Sequence, residues 1–356
     1  MSVETLTVAS EEDGMRLDRW FKRRVPALSL THLNKIVRTG QVRVDGGRVK
    51  VSTRLEQGQV VRVPPLGSDA VAAPEARRSA PGSRSEEDRR ALRDMILFED
   101  RDLLVLNKPY GLAVQGGSGT RHHIDGMLEA LADDRGNRPL LVHRLDKDTS
   151  GVLLVARNRK VAADLGLVFR SRQAQKIYWA LVEGVPKPGQ GRISLFLAKG
   201  EGMGTTGRSG PRTDAARAML EKMRVAKHGE ADAQHSVTLY TVVDKVAPRL
   251  AWLSMKPITG RTHQLRAHAE AIGHPMVGDP KYTGGTENKP RRMDPLRAIP
   301  GDVEPKLHLL ARRLVLPHPG GGTLDVSAPL PPHMRKSWDM FGFDVESRDP
   351  IEDAPE

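Results

Sequence analysis

A break in the hydrophobic pattern between Pro64 and Arg90 limits how this chain can fold. The sequence there, PPLGSDAVAAPEARRSAPGSRSEEDRR, is rich in Pro, Ala, Gly, Ser and charge, and it has no apolar period. Segments of this composition bury little apolar surface and act as linkers. We therefore expect a flexible linker over residues 65–92, between a small front segment and a large segment that begins near residue 93.

The front segment carries most of the positive charge. The 356 residues include 56 Lys and Arg against 44 Asp and Glu, a formal net charge of +12. Between Met15 and Pro64 there are 12 Lys or Arg and 3 acids, a net +9. Such an excess favours a polyanionic partner, with RNA or DNA first and an anionic membrane second. The membrane alternative is weak, because no apolar run approaches the roughly 20 residues needed to cross a bilayer.

The front segment also has a clear pattern of helices and strands. Leu17, Trp20 and Phe21 at helical spacing predict a first short helix, and a second helix begins after Ser29. The stretches QVRVDGGRVKV and QVVRVP then predict alternating strands around an Asp-Gly turn. Residues 1–14 are expected to form an N-terminal extension, which is acidic and lacks the apolar stretch of a signal peptide.

The large segment has the pattern of a mixed α and β structure. The runs DLLVLNKP, GVLLVA and KIYWALVEG predict buried strands, and SVTLYTVVDK with RLAWLSMKP predicts a hairpin. NRKVAADLGLVFRSRQ and RTHQLRAHAEAIGHP predict helices. Residues 346–356, ESRDPIEDAPE, are expected to form a disordered acidic tail. The chain has no cysteine, which excludes disulfides and thiolate metal sites and fits a cytoplasmic protein.

A short charged connection lies between two apolar runs of the large segment, in LLVHRLDKDTSGVLLVARN. Within it, Asp146 is surrounded by His143, Arg144 and Lys147, whose positive charges favour the ionised carboxylate. A loop at the edge of a buried core is a usual place for a functional site. A positioned carboxylate can act as a nucleophile, act as a general base or stabilise a developing sugar cation, and composition leaves these three roles open.

The stretch HRLDKDTSG resembles the signature motif of the pseudouridine synthases of the RluA, RluC and RluD type. LLVLNKPYGLAVQGG, KIYWALVEG and KPITGRTHQLRAHAEAIGHPMVGDPKY resemble the other motifs of that family, in the same order, so that the resemblance covers about Met95 to Pro331. The front segment resembles the S4 domain, an RNA-binding unit of two helices and a small sheet. Together the two parts resemble the RluC and RluD branch, which acts on large-subunit (23S) ribosomal RNA.

The resemblance implies an α+β fold in two domains. An S4-like domain is expected over residues 15–64, and a synthase domain with a mixed, mainly antiparallel β-sheet and flanking helices over residues 93–345. The implied reaction breaks the N1–C1′ bond of a uridine and rejoins the base through C5. No atoms are added, so we expect no cofactor and no metal. The expected partner of this monomer is large-subunit rRNA or a precursor ribosomal particle.

The same resemblance implies roles for individual side chains. Asp146 would act at the sugar, Tyr178 would pack against the uracil ring and help to take the C5 proton, and a half-buried Arg266 would pair with Asp146. The substrate pocket would include His143, Arg144, Leu145, Thr149, Ser150, Gly260 and His263. Phosphate contacts on the S4-like domain would come from Arg16, Arg19, Lys22, Arg23, Lys35, Arg38, Arg43, Arg48 and Lys50.

Two alternatives remain open from the sequence. The chain could be a non-catalytic S4-domain assembly factor that uses the large domain as a platform, or it could carry out the same chemistry on tRNA. The glycine-rich VQGGSGTRHH lacks a GK[ST] ending, which argues against a phosphate-loop NTPase. Its His122 and His123 would point to opposite faces of a strand, so they do not indicate a metal site.

Overall fold

The fold was analysed in a computed structural model that describes residues 3–25, 28, 30–66, 83–116, 122–133, 136–200, 222–230, 232–283 and 301–353. The chain divides between Pro81 and Gly82 into two compact units. Most of the predicted linker, residues 67–82, lies outside the described residues. Among the described helices, none combines the length and the apolar character required to cross a membrane.

The N-terminal unit contains two helices and a four-stranded antiparallel sheet. The elements are α1 (Leu17–Arg24), α2 (Leu30–Arg38), β1 (Glu4–Thr7), β2 (Arg43–Val44), β3 (Gly47–Arg48) and β4 (Val60–Val63). The predicted inward residues Leu17, Trp20 and Phe21 are all buried in its core. The sheet order is β1-β4-β2-β3, and the expected Asp45-Gly46 turn joins β2 to β3 with positive φ at both residues.

The prediction of a separate extension over residues 1–14 is wrong. Strand β1 pairs with β4, so this stretch supplies one strand of the N-terminal sheet. The carboxylate of Glu12 is buried and accepts hydrogen bonds from the Trp20 indole and the Arg24 guanidinium. Residues 1–14 are acidic, but the carboxylate of Glu12 is buried because Trp20 and Arg24 donate hydrogen bonds to it.

The C-terminal unit is built on an 11-stranded, mainly antiparallel sheet, in agreement with the predicted fold class. Its strands are β5 (Ile96–Glu99), β6 (Leu103–Lys108), β7 (Leu140–Leu141), β8 (Ser150–Ala156), β9 (Gln175–Glu183), β10 (Gln190–Lys199), β11 (Met223–Ala226), β12 (Gln234–Val246), β13 (Leu250–Pro257), β14 (Leu309–Pro317) and β15 (Thr323–Ser327). The order is β11-β10-β12-β13-β9-β14-β8-β6-β5, with β15 beside β14 and β7 beside β8. The β8–β14 pair is parallel.

Helices cover this sheet and close its core. They are α3 (Ser83–Asp94), α4 (Ile124–Met127), α5 (Arg159–Arg170), α6 (Gln264–Ala271) and α7 (Pro332–Phe341). Strand β8, the predicted GVLLVA strand, is buried at every residue, as its apolar character on both faces predicts. Trp252 of β13 packs against Trp338 of α7, with ring centroids 5.4 Å apart. The connection that carries Asp146 therefore leads directly into a fully buried strand.

Two predictions of unstructured segments are wrong in part. Helix α3 lies within the predicted linker, and its Leu92 is fully buried although most of its neighbours are charged. In the predicted disordered tail, Asp349 and Ile351 are buried. The Asp349 carboxylate accepts hydrogen bonds from Trp179 Nε1 at 2.7 Å and Ser254 Oγ at 2.6 Å. In both segments only one or two of the described residues are buried and most of the others are charged. The sequence therefore has no apolar period there from which the structure could be predicted.

Candidate active site

The loop that carries Asp146 is held where β8 meets β14. Gly151, at the start of β8, has φ of +108°, and a Cβ atom there would lie 2.3 Å from the carbonyl oxygen of Ala311. Only glycine permits this approach of the two strands. The amide of Thr149 donates to the carbonyl oxygen of Asp146, which closes the turn at 3.1 Å. The Asp146 backbone is therefore anchored to the central strands of the sheet.

A buried lysine, which the sequence reasoning missed, fastens the same loop. Lys108 at the end of β6 is fully buried, and its ammonium group donates to the carbonyl oxygens of Pro109, Leu112 and Lys147 at 2.8 to 2.9 Å. Burial lowers the pKa of Lys108 to about 7, against the opposing effect of nearby carboxylates. A lysine inside the apolar run LLVLNK was the available signal, because a buried lysine requires partners.

Arg266 on α6 has a different principal partner from the one predicted. Its guanidinium donates two hydrogen bonds of 2.7 Å to Asp279, while Nη1 lies 3.9 Å from Asp146 Oδ2. The Arg266 side chain is 2% exposed, so the expectation of a half-buried arginine is also wrong. Nearby carboxylates outweigh burial and raise the pKa of Arg266. Asp279 thus fixes a permanent positive charge beside Asp146.

His263 approaches Asp146 from the start of the same helix. It is the N-cap of α6 and has left-handed backbone dihedrals. Its Nε2 lies 3.8 Å from Asp146 Oδ2, and its Nδ1 is 3.1 Å from the hydroxyl of Tyr282. Burial lowers the pKa of His263 more than Asp146 raises it, so the ring is neutral at neutral pH. The Tyr282 ring also lies 5.0 Å from the Arg266 guanidinium.

Tyr178 and His143 contribute from β9 and from the loop before β8. Burial, followed by the charge of Asp146, raises the pKa of Tyr178, so its hydroxyl stays protonated at neutral pH. His143 Nε2 accepts a hydrogen bond of 2.9 Å from the amide of Leu154. Burial lowers the pKa of His143 to about 3, which keeps this ring neutral. His143 is therefore a structural acceptor and not the cation that the sequence suggested.

These side chains line a cleft of about 580 Å³. It brings together Asp146, Tyr178, Arg266, His143, Arg144, Leu145, Thr149, Gly260 and His263, as predicted. Ser150 does not line it: this residue is 2% exposed and belongs to β8, where its hydroxyl has no partner among the described residues. The prediction that Ser150 belongs to the pocket is therefore wrong, because its side chain is buried within the sheet, where its backbone is in register with Leu310 of β14.

The cleft has a strongly positive lining. Its Lys and Arg side chains are Arg144, Arg170, Arg172, Lys176, Lys256, Arg261 and Arg266. Among the described residues that line it, Asp146 is the only acid. Apart from Arg144 and Arg266, these cations were not predicted from the sequence, because they come from separate helices, strands and connections that only the fold brings together. A positive cleft around a single carboxylate suits a polyanionic substrate.

The basic side chains predicted on the N-terminal unit are mostly in contact with solvent. Eight of the nine are exposed, and the exception is the half-buried Arg43. Arg43 donates to the carbonyl oxygens of Gly40 and Gly46, and therefore supports the β2–β3 turn. Arg16 is paired with Asp18 at 2.7 Å. The exposed set remains available for phosphate contacts, which stay a prediction.

Comparison with known proteins agrees with this geometry. Residues 15–61 match the S4 domain, and residues 102–271 match the family described as RNA pseudouridylate synthase. Ribosomal large subunit pseudouridine synthase C of Haemophilus influenzae is 35% identical over 94% of each chain. The chain belongs to the RNA pseudouridylate synthase family. The predicted enzyme class, an RNA pseudouridine synthase with an N-terminal S4 domain, is therefore confirmed.

The chain is also similar to a plant protein and to a human protein of known structure. The synthase is 32% identical to RNA pseudouridine synthase 4, mitochondrial, of Arabidopsis thaliana, over 98% of this chain and 83% of that relative. The solved structure of Human RNA Pseudouridylate Synthase Domain Containing 4 superposes with a TM-score of 0.57 at 29% identity. That match covers 74% of this chain and 98% of the human chain, and it supports the assigned fold.

Proposed function

We propose that this synthase converts specific uridines of large-subunit ribosomal RNA to pseudouridine, and that Asp146 supplies the essential carboxylate. One observation carries the catalytic part. Asp146 is the only acid among the described residues of a positive cleft, and its Oδ2 lies 3.8 Å from His263 and 3.9 Å from Arg266. The substrate part is supported by the relatives named as ribosomal large subunit pseudouridine synthase C.

The geometry suits cleavage of a glycosidic bond. The transition state for breaking N1–C1′ has positive character at the sugar, and a carboxylate beside C1′ can stabilise that charge, attack it or remove the C2′ proton. Arg266 is held by Asp279, so its guanidinium is already in place beside Asp146 and need not reorganise during the reaction. His263 is neutral and can position the carboxylate without neutralising it. All three roles of Asp146 remain compatible with this arrangement.

Tyr178 would act as a neutral phenol. Its raised pKa makes the phenolate inaccessible at neutral pH, so it cannot take the C5 proton as a preformed anion. It can pack its ring against the uracil, and it can accept a proton only while it releases its own. The target base must leave its stack to reach Asp146 and Tyr178, which costs a few kcal/mol in a helix and less in a loop.

The proposal includes a monomer that works in the cytoplasm on rRNA or on a precursor ribosomal particle. The names of the bacterial relatives support the large-subunit rRNA part of this proposal. The main competing substrate is tRNA. Mapping pseudouridines in rRNA and tRNA, with and without the gene, separates the two, since loss of pseudouridine only from tRNA would reject the rRNA assignment.

The catalytic assignment is tested by Asp146→Asn, which keeps the shape of the side chain and removes its charge. We expect no detectable pseudouridine in rRNA from this variant, measured by mass spectrometry after expression in a strain that lacks the gene. Asp148→Asn is the matched control, because Asp148 lies in the same loop but does not line the cleft. Equal pseudouridine levels from Asp146→Asn and the wild type would refute the role of Asp146.

A further inference from the structure

Lys176 occupies a distinctive position beside the candidate active site. It lines the cleft two residues before Tyr178 on β9, and alternating side chains of a strand share a face, so the two residues lie about 7 Å apart along the strand. Ile177 and Trp179, on the opposite face, are buried in the core. Strand β13 pairs with β9 only as far as Tyr178, so the β13 edge of β9 is open at Lys176.

The ammonium group of Lys176 has no acceptor in the part of the chain that the structure describes. No described residue accepts a hydrogen bond from it or pairs with its charge, although the side chain is only partly exposed. Burial lowers the pKa of Lys176, and no carboxylate opposes this effect. The charge of Lys176 also lowers the pKa of His143. A partly desolvated cation without a partner is costly unless a ligand supplies the anion.

Two further positively charged side chains line the cleft and lie close to Lys176 in the sequence. Arg170, at the end of α5, and Arg172, in the connection to β9, line the cleft on this side. The sequence from Leu165 to Val182 contains no Asp or Glu. The described lining offers one acid, Asp146, and Arg266 and His263 already face it. Lys176, Arg170 and Arg172 therefore have no free counter-charge among the described residues that line the cleft.

We propose that Lys176, supported by Arg170 and Arg172, binds a backbone phosphate of the substrate RNA next to the everted uridine. The spacing favours this assignment: a cation about 7 Å along the strand from the ring that packs on the base lies within the span of one nucleotide. A single ammonium group with three donors binds phosphate as a point charge. This inference rests on the proposed placement of the target uridine between Asp146 and Tyr178.

The first test measures RNA binding separately from chemistry. Lys176→Met, which keeps length and removes charge, is introduced into full-length protein carrying Asp146→Asn. The probe is a short RNA that contains the mapped target uridine. We expect affinity to fall between about tenfold and a hundredfold, and the slope of log K against log salt to lessen by about 0.7. Lys176→Arg should recover most of the loss. Lys160→Met, an exposed lysine outside the cleft on α5, is the matched control.

The second test locates the phosphate. The same RNA is prepared with a neutral methylphosphonate at each phosphate flanking the target uridine in turn. At the contacted position, Lys176→Met should cause no further loss of affinity, because one partner of the pair has already been removed. At other positions the loss should persist. A folded Lys176→Met protein that binds unmodified RNA as tightly as its parent, or that loses the same affinity with every modified RNA, would overturn the proposal.

The two proposals fail differently. If Asp146→Asn remained active, the catalytic assignment would fall while the affinity data for Lys176 still stood. If Lys176→Met bound normally and Asp146→Asn were inactive, the phosphate site would be rejected and the catalytic assignment kept. Thermal unfolding of each variant shows whether a loss of affinity reflects loss of folded protein.

Discussion

Arg266 donates two hydrogen bonds to Asp279 and points only its remaining nitrogen, Nη1, toward Asp146. The arginine beside the candidate catalytic carboxylate is thus held by a second, buried carboxylate. Asp279 also accepts from the amides of Lys281 and Tyr282, so one side chain organises both the arginine and the segment after it. Asp146 is thus the candidate catalytic carboxylate, and Asp279 is the carboxylate that positions Arg266.

We predict that Asp279→Asn reduces kcat about 100-fold and destabilises the C-terminal unit by about 3 kcal/mol. A buried guanidinium that loses its charged partner is strongly destabilising, and a small displacement of a catalytic group costs about two orders of magnitude in rate. Single-turnover kinetics and thermal unfolding measure the two effects. Glu270→Gln, on the same helix but in the partly exposed pair with Lys222, should stay within about 1 kcal/mol of the wild type. Wild-type kinetics in Asp279→Asn would contradict this role.

Gly151→Ala is expected to be poorly folded or inactive. The added methyl group would overlap the carbonyl oxygen of Ala311, and φ of +108° is unfavourable for alanine. The β8–β14 pairing and the Asp146 loop would have to move together. Yield of folded protein and unfolding temperature provide the measurement. At Gly260 a Cβ atom would meet open space, so Gly260→Ala should fold normally; equal stability of the two variants would count against the steric explanation.

Asp349→Ala should lower the stability of the C-terminal unit by about 2 to 4 kcal/mol. The change leaves Trp179 Nε1 and Ser254 Oγ buried without their acceptor, and each unsatisfied donor costs about 1–3 kcal/mol. Calorimetric unfolding is the appropriate measurement. Glu346→Ala, an exposed change three residues earlier, should shift stability by no more than about 0.5 kcal/mol. A wild-type melting profile for Asp349→Ala would show that the C-terminal segment is not anchored there.

The N-terminal unit should lose stability in acid through Glu12. Hydrogen bonds from Arg24 hold the pKa of Glu12 at about 2, below its ordinary value of 4.5. Since the folded pKa is the lower one, its contribution, no more than about 3 kcal/mol, is complete above pH 4.5 and disappears as the pH falls toward 2. Hydrogen exchange of β1 and β4 measures the effect. Glu12→Gln should flatten this pH dependence, and Glu11→Gln, its exposed neighbour, should not.

Removal of residues 1–81 should weaken rRNA binding and make it less dependent on salt. The deletion removes the exposed basic side chains of the N-terminal unit, and each lost phosphate contact reduces the salt slope by about 0.7 to 0.9. Activity on a short RNA should partly survive, because the cleft belongs entirely to the C-terminal unit. Titrations of rRNA at several salt concentrations test this, and undiminished affinity would refute an RNA-binding role of the unit.

The sequence by itself determined the main helices and strands and part of the lining of the cleft. Apolar runs such as β8 and helical spacing such as that of Leu17, Trp20 and Phe21 are local patterns, and local patterns are what sequence periodicity reports. Motif order also placed Asp146, Tyr178 and Arg266 in one cleft. The helices and strands follow from residues that are close together in the chain, whereas the shared cleft of Asp146, Tyr178 and Arg266 was implied by the resemblance to the family's motifs.

Only the tertiary structure decided which partner each polar group has. Arg266 pairs with Asp279, which lies 13 residues later in the chain. Asp349 accepts a hydrogen bond from Trp179, which lies 170 residues earlier. Lys176 and Glu12 look like ordinary surface charges in the sequence, but the fold buries Glu12 wholly and Lys176 in part. Burial and pairing arise from contacts between distant segments, and the cost of burying a charge makes those contacts decisive for the site.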